Sequence, residues 1–503
     1  MLPKLLAIFP ITLSLHFLCR LVRRFFLFAR SPARCAAGKT DGRVSSAMPE
    51  RMSRVRKGSK WLLCGMVLFL AAALSGCTVV STDVTALMSP PKLTKQQQAI
   101  EQALVNALGG EKPALKYPHN GDYRSSFVLH SFDHGATNSV LAFYSSTKDK
   151  SGTHIMVLHQ VGSKWQETCD ISGDGNEVDR IVFGDFNGSG AEELAVGWTS
   201  FTSTDMTLGV YAFRGNHYER LYRDTYTEMI RVNMTGGGRD DLLLLKLDSA
   251  EKKADAELVG AVSGMVGPVS QAPLDSTVTG YAGLYPTSED GAPAVLIDSR
   301  KGPDTMVTEM VLWKNGQLTS PLYDPDQKMA NAETLRDVPV LCQDIDGDGS
   351  IEIPVPVELP GYEEIDSGKY TDKIWKEQWM IWKDGALTPK LSSVMNSTEG
   401  YTFVFPEKWN AGEQTITVRR ENTDSDWGFY AWDPATQTAG PHLFDILAYP
   451  RDEWNTLGAA NTALQRVDES DGMVYAYQAD PAGAGNPYML DIGTVRQCFR
   501  LMD

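Results

Sequence analysis

Two stretches, FGDFNGSGAEELAVGW at 183–198 and CQDIDGDGSIEIPVPV at 342–357, carry the reading of this chain. In each, side-chain oxygens fall at loop positions 1, 3, 5 and 9, glycines stand between them, and an apolar run follows. Calcium takes six to eight hard oxygens at about 2.3–2.6 Å in flexible geometry. The 344–352 loop offers Asp344, Asp346, Asp348, the main-chain carbonyl of Ser350 and Glu352. The 185–193 loop offers Asp185, Asn187, Ser189, the carbonyl of Ala191 and Glu193, with less charge and so weaker expected binding. An EF-hand needs a bidentate Glu at position 12 and a helix after it. Position 12 of the 344 loop is Val355, and Ile353, Val355 and Val357 alternate as in a strand. The spacing therefore predicts calcium loops between strands.

Weaker copies extend the pattern. VNMTGGGRDDLLLLKL (232–247) has Gly237 at position 5 and Arg239 at position 7, and reads as a turn that has lost its metal. SFDHGATNSVLAFY (131–144) and TSEDGAPAVLID (287–298) keep only the outline. Counted from Asp133, Asp185, Asn233, Glu289 and Asp344, the spacings are 52, 48, 56 and 55. A hairpin with an aromatic residue and a glycine turn recurs alongside, as in VGSKW (161–165), FRGNHY (213–218), WKNGQL (313–318) and WKDGAL (382–387). A strand-and-turn period near 50 predicts propeller blades, each a small sheet that buries its faces only against neighbours. The expected fold is thus mainly β. A β-propeller spans 115–390, with five blades visible and five to seven possible. A small α+β domain over 396–503 follows, a sixth aberrant blade being the alternative.

These D-x-D-G-D-G-x-x-E loops followed by short apolar strands resemble the FG-GAP, or VCBS-type, repeats of integrin-α-like β-propellers. Phe183-Gly184-Asp185 echoes the start of that motif. The resemblance covers about half the chain. It implies calcium at hairpins on one rim of a propeller, where the ion rigidifies blades while ligands bind elsewhere. It implies no single activity. The whole arrangement also resembles the VCBS-repeat lipoproteins of Gram-positive bacteria.

The N-terminus reads as an address. Arg54, Arg56, Lys57 and Lys60 precede a 13-residue apolar run, Trp61 to Ala73, which ends in Leu74-Ser75-Gly76-Cys77. That run has signal-peptide length and is short for a span. The pattern resembles the lipobox of bacterial lipoproteins, in which the Cys carries diacylglycerol and becomes the mature N-terminus. Residues 48–76 are then the signal peptide, Cys77 the lipid-modified residue and 77–93 a tether. The expected location is extracytoplasmic, on the outer face of the bacterial cytoplasmic membrane, with the membrane as a partner through the lipid on Cys77. Residues 1–47, with a second apolar run followed by Arg20, Arg23, Arg24, Arg30 and Arg34, read as an upstream extension to a start at Met48 or Met52, or else as an added membrane segment. Thr94 and Gln97 form a capping box that predicts a helix within 94–110, ending at Gly109.

Charge and chemistry narrow the function. Residues 77–503 hold 34 basic and 61 acidic residues, a formal charge of about −27, which excludes nucleic acid as a partner. Past the anchor only Cys169, Cys342 and Cys498 remain, isolated and odd in number, so no disulfide framework is implied. The sequence contains no G-x-S-x-G, H-E-x-x-H or Walker-type loop. Scattered histidines speak against zinc, and C-terminal aromatics such as Trp409, Trp427 and Tyr430 read first as packing. The reading is a lipid-anchored, calcium-stabilised propeller that binds or scaffolds an extracellular protein or glycan, with no catalytic residue assigned. The alternative is a polysaccharide-active enzyme, a lyase or hydrolase, on the same scaffold.

Overall fold

A computed structural model describes residues 94–502 apart from 133–137, 147–151, 202, 331, 363–372, 411–414, 422–425, 458–460 and 471. The signal peptide, Cys77 and the tether lie outside the described residues. Lys92–Asp503 is one compact unit, and it is mainly β. Among the described residues, six antiparallel sheets of four or five strands follow one another in chain order.

The second sheet (Glu177–Gly184, Glu193–Ser200, Ser203–Arg214, His217–Tyr226), the third (Glu228–Val232, Asp241–Asp248, Lys253–Val262, Met265–Pro273) and the fourth (Gly280–Glu289, Ala292–Arg300, Met306–Lys314, Gln317–Thr319) are simple meanders. The first sheet contains Ala114–Leu115, Phe127–His130, Ser139–Ser145, His154–Val161 and Lys164–Ser172. The fifth runs Ile353–Glu358, Trp375–Lys383, Ala386–Asn396, Tyr401–Val404 and, from the chain's end, Phe499–Leu501. The sixth is ordered Ile416–Arg420, Trp427–Asp433, Thr438–Pro450, Met473–Ala479, Leu464–Ser470.

What orders the sheets is that their strands are apolar on both faces. In DLLLLKLD (241–248), successive side chains point to opposite faces of the third sheet. Leu242 and Leu244 join a core with Leu208, Val210 and Tyr226 of the second sheet. Leu243 and Leu245 join another with Val295, Ile297 and Val311 of the fourth. The same pattern couples the first sheet to the second through Leu141, Phe143 and Val196. It couples the fourth to the fifth through Leu296, Met310 and Ile353, and the fifth to the sixth through Phe403, Phe429 and Phe444.

Among the described residues no sheet precedes the first, and a helix takes that place. Helix α1 (Lys95–Ala107) starts at the expected capping box, with Gln97 N donating to Thr94 Oγ1 at 3.3 Å and Thr94 N donating to Gln97 Oε1 at 2.9 Å. Its buried Ile100 and Leu104 pack on Val140, Ala142, Met156 and Leu158.

The late hairpins have the geometry their sequences require. Asn315 (φ 57) with Gly316 (φ 78), and Asp384 (φ 53) with Gly385 (φ 84), put both turn residues in the left-handed region, as a type I′ turn demands. One expectation changes at the C-terminal end. The texture change near 396 falls inside the fifth sheet, because Tyr401–Val404 pairs with Ala386–Asn396 and Phe499–Leu501 pairs with Tyr401–Val404. Within 451–467, whose sequence pattern is weakly helical, the described residues form a helix over Arg451–Leu457. Leu464–Ser470 is an edge strand on Met473–Ala479, where pairing outweighs a weak helical pattern.

A buried ion pair fastens the fourth sheet to the approach of the 344 loop. Arg336 Nη2 and Asp298 Oδ1 are 2.8 Å apart with both side chains fully buried. Asp298 Oδ2 also accepts from Cys342 N at 2.7 Å. Arg336→Met strands the Asp298 charge, and urea denaturation should register a loss of about 3–5 kcal/mol. The double variant with Asp298→Leu, which removes both charges, should lose less.

Candidate metal centre

The Gly-rich loops occupy one recurrent place: each joins the first strand of its sheet to the second. Loop 185–192 lies between Gly184 and Glu193, and 233–240 between Val232 and Asp241. In the fifth sheet the first strand is reduced to the bridge of Gln343 with Glu352. Position 2 of each loop is an apolar plug in the core: Phe186 (0% exposed), Met234 (3%) and Ile345 (7%).

Position 9 behaves alike in all three. Glu193, Asp241 and Glu352 are buried, and each turns back to accept amides from its own loop. Phe186 N and Asn187 N donate to Glu193 Oε2 at 3.0 and 3.2 Å. Met234 N and Thr235 N donate to Asp241 Oδ2 at 3.0 and 2.8 Å. Ile345 N donates to Glu352 Oε2 at 3.1 Å. The position read from sequence as a ligand is thus also a staple that satisfies buried backbone donors. It holds even in the third loop, which reads as metal-free.

In the 344 loop, Asp344 accepts from Gly347 N (2.7 Å) and Asp348 N (3.1 Å) on Oδ1, and from Gly349 N (2.9 Å) on Oδ2. Gly347 and Gly349, at φ 80 and 90, supply the left-handed backbone that this wrap needs. Ser350 N donates to Asp348 Oδ1 at 2.8 Å. Carboxylate oxygens of Asp344, Asp346 and Asp348 come within 4.8 Å of one another. These hard oxygens fit a divalent cation of the calcium or magnesium type. Asp344, Asp346 and Asp348 would hold it, with Glu352 beneath.

One residue the sequence reading missed stands in this cage. Lys390 Nζ lies 3.0 Å from Asp346 Oδ2, 2.6 Å from Asp348 Oδ2 and 2.7 Å from Glu352 Oε1. The Lys390 hydrogen bond holds the Asp348 carboxyl at about 2, below the usual carboxylate range. Burial pushes the Glu352 carboxyl up, and Lys390 opposes that rise. Burial alone would lower the Lys390 ammonium's pKa, but the hydrogen bonds to Asp348, Glu352 and Asp346 outweigh it and raise it.

The 185 loop is knit by the same bonds, but with neutral Asn187 and Ser189 where the 344 loop has Asp346 and Asp348. Asp185 accepts from Ser189 N and Gly190 N, both at 2.9 Å, and Asn187 Oδ1 accepts from Ser189 N at 2.7 Å. Ala191 N donates to Ser189 Oγ at 3.3 Å. Its oxygens are thus engaged with the loop's own amides. Among the described residues the converging acidic group is Asp344, Asp346 and Asp348.

The remaining candidates are packing groups. His130 stacks on Phe183, ring centroids 3.6 Å apart, and pairs with Glu192 at 2.8 Å. Trp409 and Trp427 are core residues. Cys169, Cys342 and Cys498 are free thiols, and burial pushes Cys169 and Cys498 up to about 11, far from thiolate chemistry at neutral pH.

No protein-family profile matches the sequence, and no curated protein matches it. Among solved structures, the chain is similar to the exotype rhamnogalacturonan lyase YesX, at 9% identity over 73% of this chain and 91% of that chain, with a TM-score of 0.28. A likeness that distant carries no argument about fold or activity.

The staple is titratable. Burial pushes the Glu193 carboxyl up to about 7 from 4.5, while the amides of Asn187 and Phe186 pull it down. The unfolded chain gives up this proton first, so the group's stabilisation is complete below pH ~4.5 and is lost as pH rises through about 7. Glu193→Gln keeps a carbonyl acceptor and removes the titration. In chelator, urea unfolding should show this variant gaining roughly 2–3 kcal/mol on the wild type between pH 4.5 and 7.5.

Proposed function

We propose that this chain is a lipid-anchored, extracytoplasmic binding protein whose propeller-type blades are stiffened by calcium at the 344–352 loop. Its partner would be an extracellular protein or glycan. The observation that carries the reading is the recurrent loop. Consecutive meander sheets pack face to face through shared cores, and the turns between the first two strands of the second and third touch, Asp185 N donating to Asp240 Oδ2 at 3.1 Å. Such stacking is the way blades of a propeller pack, and it makes a rigid row of loops suited to presenting a surface. The sixth sheet and its short helices, Arg451–Leu457 and Ile492–Cys498, would be the small α+β addition or an aberrant last blade. Helix α1 covers the outer face of the first sheet and would mark the seam of the ring.

The N-terminal pattern supplies the location. A lipid on Cys77 with two or more acyl chains would hold the protein stably at the membrane, since each buried methylene contributes about 0.8 kcal/mol. The 185–193 loop would be a second, weaker cation site.

Two measurements check this. Extracellular calcium modules bind at about 0.1–1 mM, so ~10 mM Ca²⁺ should stabilise Lys92–Asp503 by roughly 1.4–2.7 kcal/mol per site. The Asp344→Ala/Asp348→Ala variant should lose most of that gain in melting temperature. A wild type that melts at the same temperature in calcium, magnesium and chelator removes the metal from the reading. Separately, Cys77→Ser should move the full chain from the membrane fraction to the soluble one, and persistence in the membrane would sink the lipid anchor.

A further inference from the structure

Lys390 reaches the 344 loop by a defined backbone device. In the hairpin of Trp375–Lys383 with Ala386–Asn396, Trp379 pairs with Leu391 and Met380 with Pro389, so Lys390 is an extra residue with no partner across the ladder. Such a bulge re-aims a side chain. The same bulge recurs between the last two strands of other sheets. Its extra residue is Thr168 in the first sheet, Leu221 in the second and Val269 in the third.

The bulge position faces the position-9 acid. In the third sheet a Cβ on Gly260 would lie 2.4 Å from Asp241 Oδ1 and 3.5 Å from Val269 Cγ2, so acid and bulge residue flank the same glycine. In the fifth sheet the bulge residue is a lysine, and its ammonium touches Asp346, Asp348 and Glu352 together.

We propose that Lys390 is a tethered cation occupying the place a divalent ion takes in the 344–352 loop, so that the loop is locked without metal and binds metal only by displacing this lysine. The proposal rests on the reading of 344–352 as a cation loop and adds who competes for it. Four carboxylates, Asp344, Asp346, Asp348 and Glu352, gather around one site, and without a cation their mutual repulsion would open the loop. One ammonium offsets part of that charge. A divalent ion offsets more, which gives calcium a reason to win at high concentration. The displaced side chain has somewhere to go. Lys390 also lines a cleft of about 150 Å³ between the fifth and sixth sheets, with Lys376, Gln378, Ser392 and Trp409. A site that is competent only when the lysine has left binds more weakly in proportion to the fraction of time it is vacated. The lysine would thus set the calcium threshold of the protein.

The test uses the full chain, calcium as the probe, and three forms: wild type, Lys390→Gln and Lys390→Arg. Calorimetric titration should give Lys390→Gln a calcium Kd at least tenfold below the wild type. Its Tm should fall in chelator and be restored by calcium to the wild-type value or above. Lys390→Arg, which keeps a cation in place, should stay close to the wild type in both readouts. Equal calcium affinity in wild type and Lys390→Gln overturns the proposal while leaving the calcium site intact. Absence of calcium binding in all three overturns both. If Lys390→Gln fails to fold even in calcium, the comparison of wild type with Lys390→Met/Asp348→Asn, which removes one charge of each sign, decides: it must fold in chelator if the lysine is there to offset carboxylates, and failure to do so overturns the proposal.

Discussion

Among the described residues, the first five sheets have two apolar faces, and each must be covered on both sides. A strand such as Asp241–Asp248, with Leu242 and Leu244 on one side and Leu243 and Leu245 on the other, cannot end a soluble structure. Burying a leucine side chain contributes about 2 kcal/mol, so leaving either face of such a sheet in water would cost more than a domain's whole stability. The chain meets the constraint by laying down sheets in order, each packing on the one before. At the first sheet it recruits helix α1. At the sixth it turns Phe429, Phe444 and Tyr475 toward the fifth sheet and puts the polar set Tyr430, Glu421, His442 and Asp445 on the other side. His442 bonds Asp445 at 2.8 Å and stacks on Tyr430, so that face is ordered by polar contacts.

Stacking alone would let sheets slide. The loops between first and second strands resist that, because each is pinned at two points. An apolar residue at position 2 enters the core, and an acid at position 9 turns inward to receive the loop's amides. In the second and third sheets the loops also touch: Asp185 N donates to Asp240 Oδ2 at 3.1 Å, from one sheet's loop to the next. A lost staple leaves buried donors without a partner, which costs about 1–3 kcal/mol each. The acids thus have a structural role that needs no metal. The third loop makes the point, since it keeps Asp241 as a staple after losing the oxygens a metal needs.

Much of this was legible in the residues. The period near 50 announced repeated sheets, and the Thr94–Gln97 pair announced helix α1. The Asp344, Asp346 and Asp348 spacing announced acids that converge. What stayed hidden had a physical cause in each case. The second function of position 9 was hidden because a carboxylate that caps amides and one that binds metal have the same spelling. The edge strand Leu464–Ser470 was hidden because it is made by a partner strand, not by its own pattern. Lys390 was hidden because contact across a sheet depends on register. A lysine 38 residues after Glu352 reaches it only because one extra residue bulges from the ladder, and nothing in the local sequence marks that bulge beyond the preceding Pro389.

The repeats can also be compared with one another as natural variants on one scaffold. The 233 loop has lost its position-5 oxygen, and the bulge beside it carries Val269, an apolar residue packed with the core. The 185 loop engages Asp185 and Asn187 with its own amides, and its bulge residue is Leu221, likewise against the core. The 344 loop gathers four acids, and there the bulge residue is a cation. Charge at the loop and charge at the bulge thus rise together within a single chain. That correlation is what Coulomb's law asks of a rim built from repeated acidic turns. A loop with neutral Asn187 and Ser189 at positions 3 and 5 needs nothing beyond an apolar neighbour, whereas a loop with Asp346 and Asp348 there must find a positive charge, from the chain or from solution. Lys390 is the chain's own answer, and its length and flexibility, unlike those of a fixed arginine fork, leave the position open to exchange.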